Sequence, residues 1–234
     1  MGEALRCALP QHCALCAAAS GSTLLCDSCE ADLPAIARPC PVCALPSGHR
    51  ANCDECIRAP PPFAATIAAF AYAFPVDRLI QRIKYAGNIA LVDWAGAALA
   101  AAVCRRLAER GIDDRPQRIV AVPLSASRQR ERGFNQAGEI AARVARATEL
   151  PTFAPVERIR AGPPQAALPW TARRGNVRGA FTVREDVRGA RIALVDDVMT
   201  TGATLVEASR MLIAAGAERV ECWVVARTPR PDVE

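Results

Sequence analysis

The pattern of apolar and polar positions divides residues 60–234 into alternating strands and helices. Short apolar runs rich in β-branched residues predict buried strands, and apolar residues three or four positions apart predict helices with one buried face. The predicted strands are 63–74 (one strand or two), 118–122, 192–195 and 219–226. The predicted helices are 76–85, 90–110, 135–148 and 205–212. Strands that alternate with helices are typical of an α/β fold.

Residues 13–56 follow a different pattern, a repeat of paired cysteines. Four Cys-x-x-Cys pairs occur, and each cysteine of the first two pairs recurs 27 positions later. Tetrahedral zinc takes four thiolates, so eight cysteines predict two sites, and a site of four thiolates has no open position for catalysis. We favour sequential pairing, although spacing alone leaves a cross-braced arrangement open. The predicted ligand sets are Cys13, Cys16, Cys26 and Cys29, and Cys40, Cys43, Cys53 and Cys56.

Composition and charge support a division into two domains. Hydrophobic residues make up 51% of the chain and charged residues 23%, and no apolar run is long enough to cross a membrane, so we expect no membrane insertion. Cysteines spaced as metal ligands rather than disulfides favour a cytoplasmic location. Residues 1–59 carry four basic and six acidic side chains, a net −2, so the remainder of the +5 chain carries +7. The predicted domains are a double zinc ribbon at 1–59 and a larger domain at 60–234, separated by a proline-rich spacer.

The segment after the strand at 192–195 has the most specific chemistry. A turn that opens a helix directs backbone N–H groups and the positive end of the helix dipole at one point, which suits a phosphate. The residues of this predicted cradle are Thr200, Thr201, Gly202, Ala203 and Thr204. The adjacent Asp196 and Asp197 would repel a phosphate but suit ribose hydroxyls or a hydrated Mg²⁺. The combination predicts a ribose 5-phosphate site.

Three basic residues are candidates for the same site. Arg128 and Arg132 lie in a predicted loop after the strand at 118–122, where open α/β folds bind ligands, and arginines can pair with pyrophosphate in bidentate fashion. Lys84 is the only lysine, against 28 arginines. A binding site that needs a compact ammonium and a surface position occupied by chance are both consistent with it. A polar segment at 159–178 without helical or strand period predicts a lid that excludes water.

Residues 195–204 resemble the motif with which type I phosphoribosyltransferases bind PRPP, 5-phosphoribosyl 1-pyrophosphate. Further segments resemble the ComF family, and with the double zinc ribbon they extend the resemblance over nearly the whole chain. These segments are 83–87, 122–124, 132–136 and the positions Gln165, Arg173, Asn176 and Phe181. The resemblance implies a type I phosphoribosyltransferase fold, a parallel sheet flanked by helices, that binds PRPP with Mg²⁺. It makes Asp196 and Asp197 the catalytic carboxylates and Lys84 a PRPP ligand.

The same resemblance implies a role in natural competence. The implied partners are incoming single-stranded DNA and a DNA-translocating helicase or a recombination mediator. No segment matches a purine, pyrimidine or amide acceptor pocket, so the acceptor is open. Two other classes also stay open: a catalytically inert module that senses PRPP or binds single-stranded DNA, and a scaffold. Only 5% of residues are aromatic, which provides few platforms for base stacking.

Overall fold

The computed structural model describes residues 11–48, 52–86, 88–160 and 177–230. The strands are β1 (Gln11–His12), β2 (Ala19–Gly21), β3 (Ala65–Ala71), β4 (Arg118–Ala121), β5 (Thr152–Phe153), β6 (Val156–Arg158), β7 (Phe181–Val183), β8 (Arg191–Met199) and β9 (Arg219–Arg227). The helices are α1 (Asp27–Ala31), α2 (Asp54–Arg58), α3 (Val76–Ala86), α4 (Ile89–Ala108), α5 (Ala126–Arg132), α6 (Gln136–Thr148) and α7 (Ala203–Ala214), with a 3₁₀ turn at Ile112–Asp114.

A parallel five-stranded sheet in the order β3-β9-β8-β4-β5 forms the centre of the larger domain. The sheet has a hydrophobic core on each face. Successive residues of β8 pack into opposite cores, because successive side chains of a strand point to opposite faces. Ile192 and Leu194 pack with α7, whereas Ala193 and Val195 pack with α3, α4 and α6. Because helices cover both faces of the sheet, both sides of β8 are buried, and this explains the continuous run of apolar residues in its sequence. The predicted α/β architecture is confirmed.

The basic segment after β4 is a helix, and the prediction of a loop there was wrong. Ser125 precedes α5, and its hydroxyl accepts a hydrogen bond from the backbone N–H of Arg128 at 3.4 Å. Gly133 ends the helix in the left-handed region, with a φ of 76°. An N-terminal serine cap and a C-terminal glycine stabilise even a short polar helix. Arg128, Arg130 and Arg132 therefore extend from a helix rather than from a loop.

The ribbon segment covers the exposed edge of the sheet. The backbone N–H groups of Thr66 and Ala71 in β3 donate to the carbonyl oxygens of Pro41 (3.0 Å) and Pro34 (2.8 Å). Cys13 and Leu25 are buried in the core formed by α3, α4 and α6. An edge strand with unpaired N–H groups is prone to pair with other chains, so the ribbons protect β3. The predicted domain boundary at residue 59 stays a prediction.

Most of the predicted lid, including Gln165, Arg173 and Asn176, lies outside the described residues. The strands that flank it, β6 and β7, pair antiparallel, with Glu157 opposite Thr182. In the part of the chain that the structure describes, no helix has the length and apolar character needed to cross a membrane.

Candidate functional site

A cavity of about 520 Å³ opens at the carboxyl ends of β3, β4 and β8. Nine of the ten predicted non-cysteine site residues line it: Lys84, Arg128, Arg132, Asp196, Asp197, Thr200, Gly202, Ala203 and Thr204. The tenth, Thr201, lines a second cavity behind the turn, and its hydroxyl accepts a hydrogen bond from the N–H of Ala203 at 3.3 Å. The fold thus gathers residues that are more than 100 positions apart in sequence.

The phosphate loop, which we define as residues 200–204, connects β8 to the N-terminus of α7. Gly202 is the N-terminal cap and has a φ of 80°, a conformation that disfavours other residues. A Cβ at this position would lie 2.9 Å from Cε of Met199, so a side chain would also require Met199 to shift. The first N–H groups of α7 have no acceptor within their own helix. The loop therefore has the geometry of an anion site at a helix N-terminus.

The two carboxylates beside the loop differ in their partners. Oδ2 of Asp197 pairs with Nζ of Lys84 at 2.9 Å, and its Oδ1 accepts the N–H of Val198 at 2.7 Å. Oδ1 of Asp196 accepts the N–H of Asp197 at 2.8 Å. Burial, and secondly the negative charge of Asp197, raise the pKa of Asp196 to about 7. The site therefore holds one carboxylate that is ion-paired, Asp197, and one whose pKa lies near neutral pH, Asp196.

Lys84 is the cation of this carboxylate pair. Burial disfavours its ammonium form, but the attraction of Asp197 and then of Asp196 outweighs burial and raises the pKa of Lys84 above its ordinary value. The single lysine of the chain is thus charged and held within the site. Of the two interpretations of Lys84 from sequence, its position in the cavity supports the first.

Arg158, Tyr72 and Gln81 also line the cavity, and sequence reasoning missed all three. Burial and the nearby guanidinium of Arg128 lower the pKa of Arg158. Both cations line the cavity, which suits an anion. The Arg158 guanidinium also lies 5.5 Å from the ring centroid of Phe181. Gln81 lies three positions before Lys84 on α3 and so shares its face, a signal that the sequence did contain.

The eight ribbon cysteines form the two sequential groups, Cys13, Cys16, Cys26 and Cys29, and Cys40, Cys43, Cys53 and Cys56, with the Sγ atoms of each group within 4.8 Å of one another. The Sγ atoms of Cys16 and Cys26 are 3.6 Å apart, and those of Cys43 and Cys53 are 3.5 Å apart. Tetrahedral zinc with Zn–S bonds of about 2.3 Å separates its sulfurs by about 3.8 Å. Both groups therefore fit one zinc ion each.

Backbone amides prepare one thiolate in each group. The N–H of Leu15 donates to Sγ of Cys13 at 3.5 Å, and the N–H of Cys53 donates to Sγ of Cys40 at 3.4 Å. Burial opposes the charged form, but such backbone hydrogen bonds lower the pKa of Cys13 to about 6 and that of Cys40 to about 7. Zinc binds thiolates, so these amide hydrogen bonds stabilise the form of Cys13 and Cys40 that binds the metal.

Comparison with known proteins assigns both domains. The profile of the phosphoribosyl transferase domain matches residues 92–234, and that of the double zinc ribbon domain matches residues 4–57. The chain is 33% identical to competence protein F of Haemophilus influenzae over 168 residues, which cover 67% of this chain and 69% of that protein. The chain belongs to the ComF family.

Another relative of this ComF-family chain is the DNA utilization protein YhgH of Escherichia coli (strain K12). It is 31% identical over 173 residues, which cover 74% of this chain and 76% of that protein. Among solved structures, a purine phosphoribosyltransferase from Pyrococcus horikoshii aligns with a TM-score of 0.36 and 19% identity, over 58% of this chain and 72% of that one.

Proposed function

We propose that the chain binds PRPP with Mg²⁺ in the cavity at the carboxyl ends of the sheet and transfers its phosphoribosyl group to an acceptor. One observation carries the proposal: a single cavity is lined by the phosphate loop, by Asp196 and Asp197, and by the cations Lys84, Arg128 and Arg158. A phosphate cradle, two acceptors for ribose hydroxyls and a set of cations match the three parts of PRPP.

Each group has a role that follows from its charge. The phosphate loop would hold the 5-phosphate through backbone N–H groups, and Asp196 and Asp197 would accept hydrogen bonds from the 2′- and 3′-hydroxyls. Arg128, Arg132 and Arg158 would pair with the pyrophosphate oxygens. Lys84 would orient Asp197 through the ion pair at 2.9 Å. When bound, Mg²⁺ would neutralise charge on the pyrophosphate and so help it to leave.

Catalysis would depend on charge that develops on the ribose. Breaking the bond between C1 of the ribose and the pyrophosphate oxygen leaves positive charge on the ring, before the acceptor forms its bond to C1. Carboxylates that are already fixed by backbone N–H groups stabilise such charge without having to reorganise. Asp196 would need to be ionised for this role, and its pKa of about 7 places that ionisation near neutral pH.

A pyrophosphate-release assay tests this function. The zinc-loaded protein is mixed with Mg²⁺ and PRPP, either alone or with a purine base, a pyrimidine base or single-stranded DNA as acceptor. We expect release that depends on an acceptor and that disappears in the double variant D196N/D197N, which keeps the size of both side chains. Binding of PRPP without release for any acceptor would instead assign the chain as a PRPP sensor.

We also propose that the activity serves DNA uptake or utilization, with a competence helicase or recombination mediator as the protein partner. The names of two relatives, a competence protein and a DNA utilization protein, support this process. A direct contact with single-stranded DNA is a second candidate function, favoured by the three arginines of the short helix α5. Affinity for DNA that falls steeply with salt, and that is lost when Arg128, Arg130 and Arg132 become alanine, would support it.

A further inference from the structure

Arg227, the last residue of β9, is a buried cation outside the cavity that holds the phosphate loop. Only 4% of the residue is exposed. Its Nη1 donates to the carbonyl oxygens of Met199 (2.8 Å), Thr200 and Thr228 (3.0 Å), and its Nε donates to the carbonyl oxygen of Cys43 at 2.8 Å. One guanidinium therefore joins the start of the phosphate loop to a cysteine of the second zinc group.

The phosphate loop lines two cavities, and the second zinc ribbon lines one of them. Gly202 and Ala203 line the 520 Å³ cavity and also a second cavity of about 480 Å³, whose lining includes Cys43 and Cys56. The phosphate loop thus lies between the 520 Å³ cavity and the second zinc group, which we define as Cys40, Cys43, Cys53 and Cys56. A movement of Cys43 would be passed through Arg227 to the backbone of residues 199 and 200.

Electrostatic attraction also favours the contact between Arg227 and the second zinc group. Zn²⁺ with four thiolates carries a net charge of −2, and the Arg227 guanidinium beside Cys43 offsets part of it. A buried guanidinium needs such compensation, together with acceptors for its N–H groups. The second zinc group and the loop carbonyls supply both, so the position of Arg227 depends on an intact second ribbon.

The first ribbon is tied to the fold through a different arginine, which provides a matched control. Nη1 of Arg82 donates to the carbonyl oxygen of Ala14 at 2.9 Å, next to Cys13. Arg82 is exposed and does not line the 520 Å³ cavity. Both arginines thus donate to a backbone carbonyl of a zinc ribbon, but only Arg227 also bonds to residues 199 and 200.

We propose that Arg227 is a positioning residue that couples zinc at Cys40, Cys43, Cys53 and Cys56 to PRPP binding at the phosphate loop. The inference rests on the proposed binding of PRPP. Coupling between two sites is reciprocal, so PRPP strengthens zinc binding at the second group by the same factor by which that zinc strengthens PRPP binding.

The test compares the wild-type protein with R227K and R82K, all loaded with two zinc ions. Lysine keeps the charge but cannot reach the ribbon and the loop together, so R227K should bind PRPP about tenfold more weakly while R82K binds like wild type. In the wild-type protein, PRPP with Mg²⁺ should slow the release of one of the two zinc ions to a chelator severalfold, and in R227K this effect should vanish. Wild-type PRPP affinity in R227K, or zinc release that PRPP does not slow, would overturn the coupling.

Amide hydrogen exchange separates this inference from the proposed function. If the wild-type protein binds no PRPP, the proposed function fails, and exchange in residues 199–204 still tests whether Arg227 positions the phosphate loop. Faster exchange there in R227K than in both other proteins, with β4 unchanged, would support the role of Arg227. Equal exchange in all three proteins would overturn it.

Discussion

The raised pKa of Asp196 predicts that replacing this carboxylate stabilises the protein. Its pKa is about 7 in the folded chain against an ordinary value of 3.8. Between these two pKa values, Asp196 keeps a proton in the folded state that it has lost in the unfolded state. The stability of the wild-type protein therefore falls as pH rises through this range, and the full loss of stability is present above pH 7. Asparagine at this position carries no charge, and its Oδ1 can still accept the N–H of Asp197.

The magnitude follows from the difference in pKa. About three units, at 1.36 kcal/mol each, give an upper value of about 4 kcal/mol, and the mutual influence of the two carboxylates makes about 2–4 kcal/mol the expected range. At pH 8 the D196N variant should therefore unfold at a temperature roughly 5–15 °C above that of wild type, since 1 kcal/mol shifts Tm by about 2–4 °C in a chain of this size. The advantage should shrink as pH falls from 8 to 5.

The assay is thermal unfolding followed by circular dichroism between pH 5 and pH 8.5, with zinc bound and PRPP absent. D186N is the control of opposite sign, because hydrogen bonds from Arg188 lower the pKa of the exposed Asp186 to about 2. D186N should lose a little stability, equally at every pH in this range. A D196N variant that is less stable than wild type at pH 8, or whose advantage does not grow with pH, would refute the reasoning.

Three further predictions concern the same site and its support. K84M should lose roughly 2 kcal/mol in urea denaturation at pH 8, less than for a fully buried pair because 21% of the Lys84 side chain is exposed, and K84M/D197N should recover most of the loss. R158A should weaken PRPP binding about tenfold by calorimetry, about 1.4 kcal/mol, whereas R118A, outside the cavity, should not. Removing residues 1–59 should expose the edge of β3 and cause aggregation in light scattering, and a monomeric product would contradict the protective role of the ribbons.

The sequence predicted best those features that are encoded over a few neighbouring residues. The order of Asp196, Asp197 and the phosphate loop predicted an anion site, and cysteine spacing predicted two metal groups and favoured their sequential pairing, which the structure shows. Ligands close in sequence form sites whose geometry depends little on the rest of the fold. Arg158 and Arg227 were missed, because a lone arginine at a strand end has no local signature. Their roles arise only when β6 and β9 bring them to distant segments.

The error at α5 has a different cause. The segment was predicted to be a ligand-binding basic loop because it follows a strand, but the caps at Ser125 and Gly133 outweighed the absence of an apolar face. Both caps are visible in the sequence, so closer attention to helix ends would have found this helix.

The most direct test of the central claim, that this cavity binds PRPP, is calorimetric titration of PRPP with Mg²⁺ into the zinc-loaded wild-type protein and into D196N/D197N. We predict one PRPP per wild-type chain and binding at least tenfold weaker in the double variant, because hydrogen bonds to ionised acceptors are stronger than those to neutral ones. Absence of binding to the wild-type protein, or equal affinity in the two proteins, would contradict the assignment of the site.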